Sequence, residues 1–325
     1  MRTSKLAALG LALLSPLVGE YLLGNISIRD LVAVPFLVPM YGGGALLIRE
    51  LARRTGRGWP TILVLGLAYG VIEPGVFDGS LFNPSFEGMD YADARIPVLG
   101  LSAYYAVQFL VNHAVWSITI PILLTETLTP RHRTTPWLGR VGLGATAVVY
   151  ILGGLLIRSD SVDRGEYRTS WAQAAGVVLV ALILVTVAFS LPRPSPGRSA
   201  GWVPRPWLVG MAACLVSSGY FLLPASWRGL AASVKIIVGT ALVVAWLSRR
   251  TGWHAGHRIA LATGALMTYA WAGFLLTAIK HHNDPVAFIG NGVLAVAAIV
   301  LGAIAAARGR DAENRPLLPP ADSRR

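Results

Sequence analysis

Long, mostly apolar stretches alternate with short polar segments along the whole chain. Ten of them stand out, at about 6–24, 31–49, 60–78, 99–127, 141–158, 171–191, 206–224, 230–248, 259–278 and 286–307. Each holds about eighteen residues or more, enough as a helix to cross roughly 30 Å of hydrocarbon. The pattern predicts an all-α fold, a polytopic integral membrane bundle of about ten transmembrane helices. The first stretch follows Arg2 and Lys5, as a signal peptide would. No small-x-small cleavage site follows it, so it reads as a spanning helix.

The polar breaks suggest four regions. Residues 1–191 form a six-helix membrane bundle, and the stretch after Leu191, Pro-Arg-Pro-Ser-Pro-Gly, opens a proline-rich linker over 192–205. Residues 206–307 form a four-helix bundle, and 308–325 read as a disordered polar tail.

Composition sharpens the picture. The 325 residues are 54% hydrophobic and 14% charged, with mean hydropathy +0.58, whereas a soluble domain carries about 25% charge. A net charge of +12 would suit nucleic acid if it were gathered on a soluble surface. Its distribution points elsewhere. Twenty of the 28 basic residues fall in segments on the N-terminal side of the predicted membrane, and seven on the other. That asymmetry predicts cytoplasmic termini in a bacterial plasma membrane, with the lipid bilayer as partner and no nucleic acid. Cys214 is the only cysteine, which excludes an intrachain disulfide and a cysteine-based metal site. His254, His257, His281 and His282 fall in loops without carboxylate neighbours, so neither metal nor cofactor is expected.

Chemistry is expected where ionisable groups interrupt the apolar stretches, because a charge at a helix centre costs about 2.5–3.5 kcal/mol on insertion scales. Glu20, Glu73 and His113 are such residues. Counted along their helices they reach similar heights, roughly 20 Å from the N-terminal side, so the three can meet in one layer. A carboxyl beside an imidazole activates water or relays a proton. Pro74 and Gly75 follow Glu73 directly and are expected to open its helix. Glu73 and His113 are therefore the catalytic candidates. Glu20, Asn112, Asp78 and Trp116 are the binding candidates for a lipid-embedded or small polar substrate. Gly42-Gly43-Gly44 permits close backbone approach, and the aromatic, acidic stretch 78–98 is either a lid or an interfacial belt.

Two pieces carry a resemblance. Glu73-Pro-Gly-Val-Phe-Asp78 and Phe109-x-x-x-His113 resemble the first two motifs of the CAAX-processing (CPBP) intramembrane proteases. There Glu73 would activate water and His113 would help hold the oxyanion. Pro74 stands where that family has a second Glu, Asp78 where it has an Arg, and its third motif has no counterpart after residue 113. Residues 68–130, notably Ser80-Leu-Phe-Asn-Pro84 and His113 through Pro121, look more like a group of uncharacterised prokaryotic multi-pass membrane proteins. Three functions fit these residues: a membrane-embedded hydrolase-like enzyme, a permease with a Glu/His site, or a scaffold in which the trio is a polar clamp.

Overall fold

The structure, a computed structural model, describes residues 2–165, 167–193, 197 and 199–314. Among these, nine helices are long and apolar enough to span a membrane. They are α1 (Ser4–Leu22), α2 (Ile28–Arg54), α3 (Trp59–Phe77), α4 (Ala103–Leu128), α5 (Arg140–Asp163), α6 (Trp171–Ser190), α8 (Trp227–Ser248), α9 (Ala255–Lys280) and α10 (Pro285–Asn314). Between α6 and α8 lies the shorter apolar α7 (Pro206–Phe221), about 24 Å long. Helix α10 carries on through Asn314, so the first part of the expected tail is helical. Residues 315–325 lie outside the described residues, as do 194–196 and 198 of the linker. The loop after α3 folds a two-residue hairpin, Arg95–Ile96 against Leu101–Ser102.

Helix α3 is central: 67% of its apolar window is buried, against 11% for α5 and α8. The outer helices therefore show apolar side chains to their surroundings, as a lipid-facing helix does. Helix α9 packs on α7 and α10 and reaches across to α1 and α4. Its Tyr269 stacks flat on Trp116 of α4, ring centres 4.6 Å apart.

The glycine triplet is a packing device. A Cβ on Gly42 would stand 2.4 Å from the Ala12 carbonyl oxygen, and one on Gly44 would stand 2.6 Å from the Tyr69 ring. Gly43 faces Tyr150 of α5. Three successive positions thus seat α1, α5 and α3 against α2, and side chains there would hold the layer apart.

An ionic knot closes the arginine-rich end. Helix α2 continues past the expected end at residue 49 to Arg54, which puts the Arg49 side chain at 0% exposure. Its guanidinium lies over the Trp137 ring, 3.5 Å from the centroid. It donates to Glu50 (2.7 Å), to Glu126 (3.1 Å), and to the carbonyls of His132 (3.0 Å), Arg133 (3.2 Å) and Thr135 (2.9 Å). Arg53 also grips Glu126, at 2.6 Å. Glu50 takes the backbone N–H of Trp137 at 2.7 Å and of Leu138 at 3.2 Å. The buried charges are thus paired and multiply hydrogen-bonded, as burial demands.

Candidate functional site

Four helices widen into a π-helical turn at the same layer. The turns are Leu17–Leu22 in α1, Val38–Gly42 in α2, Glu73–Phe77 in α3 and His113–Thr119 in α4. Each has a proline beside or within it: Pro16, Pro39, Pro74 and Pro121. Proline brings no N–H and crowds the carbonyl four residues back, and a widened turn is one way a membrane helix accommodates both. Pro121 shows the consequence. The Ser117 carbonyl, which residue 121 would otherwise bond, instead accepts the Ser15 hydroxyl at 2.5 Å. Pro74 and Gly75 accordingly widen their helix rather than break it, and the Asp78 N–H reaches back to the Glu73 carbonyl at 3.2 Å.

Each π turn presents one member of a buried cluster: Glu20, Tyr41, Glu73 and His113. Single-turn π segments recur at functional sites, and four meeting at one layer is the main structural feature of this chain. The Tyr41 hydroxyl is the hub. It donates to Glu20 Oε1 at 2.5 Å and lies 3.3 Å from Glu73 Oε1 and 3.4 Å from His113 Nε2. Glu20 and Glu73 are 8% and 2% exposed. The Tyr69 ring closes the side of the cluster, 5.8 Å from the imidazole and 6.0 Å from the Tyr41 ring.

The hydrogen bonds determine where one proton sits. His113 Nδ1 lies 2.8 Å from the Phe109 carbonyl oxygen. A carbonyl can only accept, so Nδ1 carries a hydrogen, and in a neutral ring Nε2 is the lone-pair nitrogen. Nε2 lies 3.1 Å from Glu73 Oε2. A lone pair against an ionised carboxylate at that distance is repulsive. The contact becomes favourable with one more proton, held on either partner. Among the described residues Glu73 Oε2 has no aligned donor. Among the described residues Asn112 Oδ1 and the Tyr69 hydroxyl are also buried without a hydrogen-bond partner.

The cluster is wired to the end of the bundle opposite the ionic knot. Glu20 Oε2 accepts from Asn25 Nδ2 at 2.5 Å. Asn25 Oδ1 in turn accepts from Lys280 at the end of α9, which also binds the exposed Glu87 of the 78–98 loop. That loop lies on α4, with Tyr91 edge-on to Tyr105 at 4.4 Å.

Two sequence candidates lie apart from the cluster in their bonding. Trp116 donates its indole N–H to the Ala265 carbonyl at 2.8 Å and belongs to the α4–α9 seam. Asp78 accepts the Ser80 N–H at 2.8 Å. Burial, and behind it the Glu73 charge, push its carboxyl well above the usual carboxylate range. Tyr41 and Lys280 were not singled out by the sequence. Tyr41 could have been, since a tyrosine inside a membrane span needs a partner for its hydroxyl. Lys280 reads as an ordinary loop charge until the fold brings it to Asn25.

Fold and site together define a polytopic α-helical membrane protein with a polar layer built on widened helical turns. A family model covering residues 9–312 matches the chain, which belongs to an uncharacterised membrane protein family. No curated protein and no solved structure matches it.

Proposed function

We propose that the Glu20–Tyr41–Glu73–His113 layer binds and passes protons, and that the protein is a proton-coupled permease for a small polar substrate. The observation that carries this is the Glu73–His113 contact, favourable with one more proton, with Tyr41 in reach of both partners and already bonded to Glu20. The phenol can give its hydrogen to Glu20 while accepting another from the pair. Ionisable residues buried inside a membrane bundle commonly mark ion or proton pathways. The arginine distribution supports cytoplasmic termini in a bacterial plasma membrane, and under that orientation Glu20, Asn25 and Lys280 face the outer side.

The test is proton flux into proteoliposomes carrying an internal pH dye, driven by a potassium diffusion potential. Glu73→Gln is expected to abolish the flux in a protein that still folds. Flux equal to the native protein's would refute the reading.

A second reading is favoured by Glu73 Oε2, which has no aligned donor among the described residues. A carboxylate so placed can act as general base on water for a lipid-embedded substrate, in line with the protease resemblance. Hydrolysis of a lipid-borne substrate without proton flux, lost in Glu73→Gln, would select it.

A further inference from the structure

At the arginine-rich end, a cavity of about 360 Å³ opens between the ends of α2, α3, α4, α9 and α10. Among the described residues five arginines line it, Arg53, Arg57, Arg133, Arg258 and Arg308, with one acid, Glu126. That acid is already bound by Arg49 and Arg53, so Arg57, Arg133 and Arg308 are set against no carboxylate among the described residues. We infer that this cavity is an anion site for a phosphate group, and that its natural occupant is the phosphate headgroup of an anionic lipid.

Three observations carry the assignment. First, the positive lining is built into the fold. Arg57 donates to the Phe189 and Leu191 carbonyls at the end of α6, and Arg308 donates to the Leu128 carbonyl at 2.8 Å. Backbone carbonyls orient these guanidinium groups without neutralising them. Such planar, multiply donating groups suit phosphate oxygens. Second, part of the wall is made of large apolar side chains from membrane spans: Trp59 of α3, Leu123 of α4 and Ile259 of α9. A site for a free soluble anion has no need of those side chains, whereas a lipid places its glycerol and upper acyl carbons against them. Third, the cavity lies where helices end, at the depth of headgroups, and basic pockets between helices at that depth suit anionic lipid headgroups. The cavity and the polar layer lie at different levels of the bundle, so this inference stands apart from the proton reading.

The experiment is lipid retention by native mass spectrometry of detergent-purified protein, titrated with phosphatidylglycerol, phosphatidylcholine or glycerol 3-phosphate. Phosphatidylglycerol should be retained about tenfold more tightly than phosphatidylcholine. Each of Arg133→Gln and Arg308→Gln should weaken that retention by roughly fivefold, the effect of one basic side chain near a membrane surface. Arg140→Gln changes an exposed arginine at the same end but outside the cavity, and should leave retention unchanged. Thermal melting of each variant, with and without the lipid, separates lost binding from lost folding. If glycerol 3-phosphate competes as well as the whole lipid, the phosphate site stands and its occupant is a soluble phosphate ester. Equal retention of the two lipids, or equal losses in Arg133→Gln and Arg140→Gln, would overturn the inference.

Discussion

Replacing Arg49 by alanine tests how the buried knot holds the arginine-rich end together. Breaking a buried ion pair by removing one partner costs about 3–5 kcal/mol, chiefly through the charge left behind. Here the two carboxylates keep other donors. Glu126 retains Arg53 at 2.6 Å, and Glu50 retains Arg54 at 3.3 Å and the Trp137 N–H at 2.7 Å. The loss therefore falls mainly on the three carbonyls of residues 132, 133 and 135 and on the vacated face of Trp137. That places the cost near the lower end, about 3 kcal/mol, or roughly a hundredfold in the folding equilibrium. Arg49→Lys keeps the charge but has three donors on a flexible stem where the native side chain makes five contacts, so about half the loss should remain. The assay is reversible unfolding in mixed micelles, followed by tryptophan fluorescence, with Trp137 as a local reporter. Arg49→Ala within about 1 kcal/mol of the native protein would refute the claim that the knot is held through this side chain. So would Arg49→Lys destabilising more than Arg49→Ala.

Other substitutions probe the site and its supports. Tyr41→Phe removes the hub hydroxyl but keeps the ring, so proton flux should fall at least about tenfold while stability drops by only about 1 kcal/mol; unchanged flux would remove Tyr41 from the pathway. A methyl group on Gly70 would meet the Leu110 carbonyl oxygen at 2.7 Å and its Cα at 2.9 Å. Gly70→Ala should therefore push α3 from α4, cost about 1–3 kcal/mol in unfolding assays, and loosen the Glu73–His113 contact. Arg29 bonds Asp284 at 2.5 Å and holds its carboxyl down to about 2. Because the folded value lies below the ordinary 3.8, this stabilisation is complete above that pH. It is lost as pH falls toward 2. Stability measured against pH should lose that acid-limb component in Arg29→Gln and keep it in Arg95→Gln.

The membrane fold was legible because the bilayer imposes one strong rule, that a span must be long, apolar and helical. Glu20, Glu73 and His113 were legible for the same reason, since ionisable groups in such spans are few. Helix count along the chain also gave their common height. Tyr41 was harder to find, because a tyrosine costs little in an apolar stretch and its hydroxyl gains meaning only from what stands opposite. Arg49 was hidden by a boundary. With α2 ended at residue 49, the arginine reads as a loop charge, and the further turn that buries it is polar on its surface. Lys280 and Glu87 are distant in sequence, and no local pattern pairs them.

The widened turns also bear on how insertions and deletions read in this family. Each π turn holds one residue more than an α-helix would spend on the same rise, so it stores a rotation of about 100° per extra residue. Deleting a single residue at one of the four turns would let that helix relax to α geometry and swing every side chain beyond it to a different face. Relatives that keep this cluster should therefore keep the length between each proline and its polar partner, even where the residues between them change. A one-residue gap at Pro16–Glu20, Pro39–Tyr41 or His113–Pro121 would mark a chain that has given up the site.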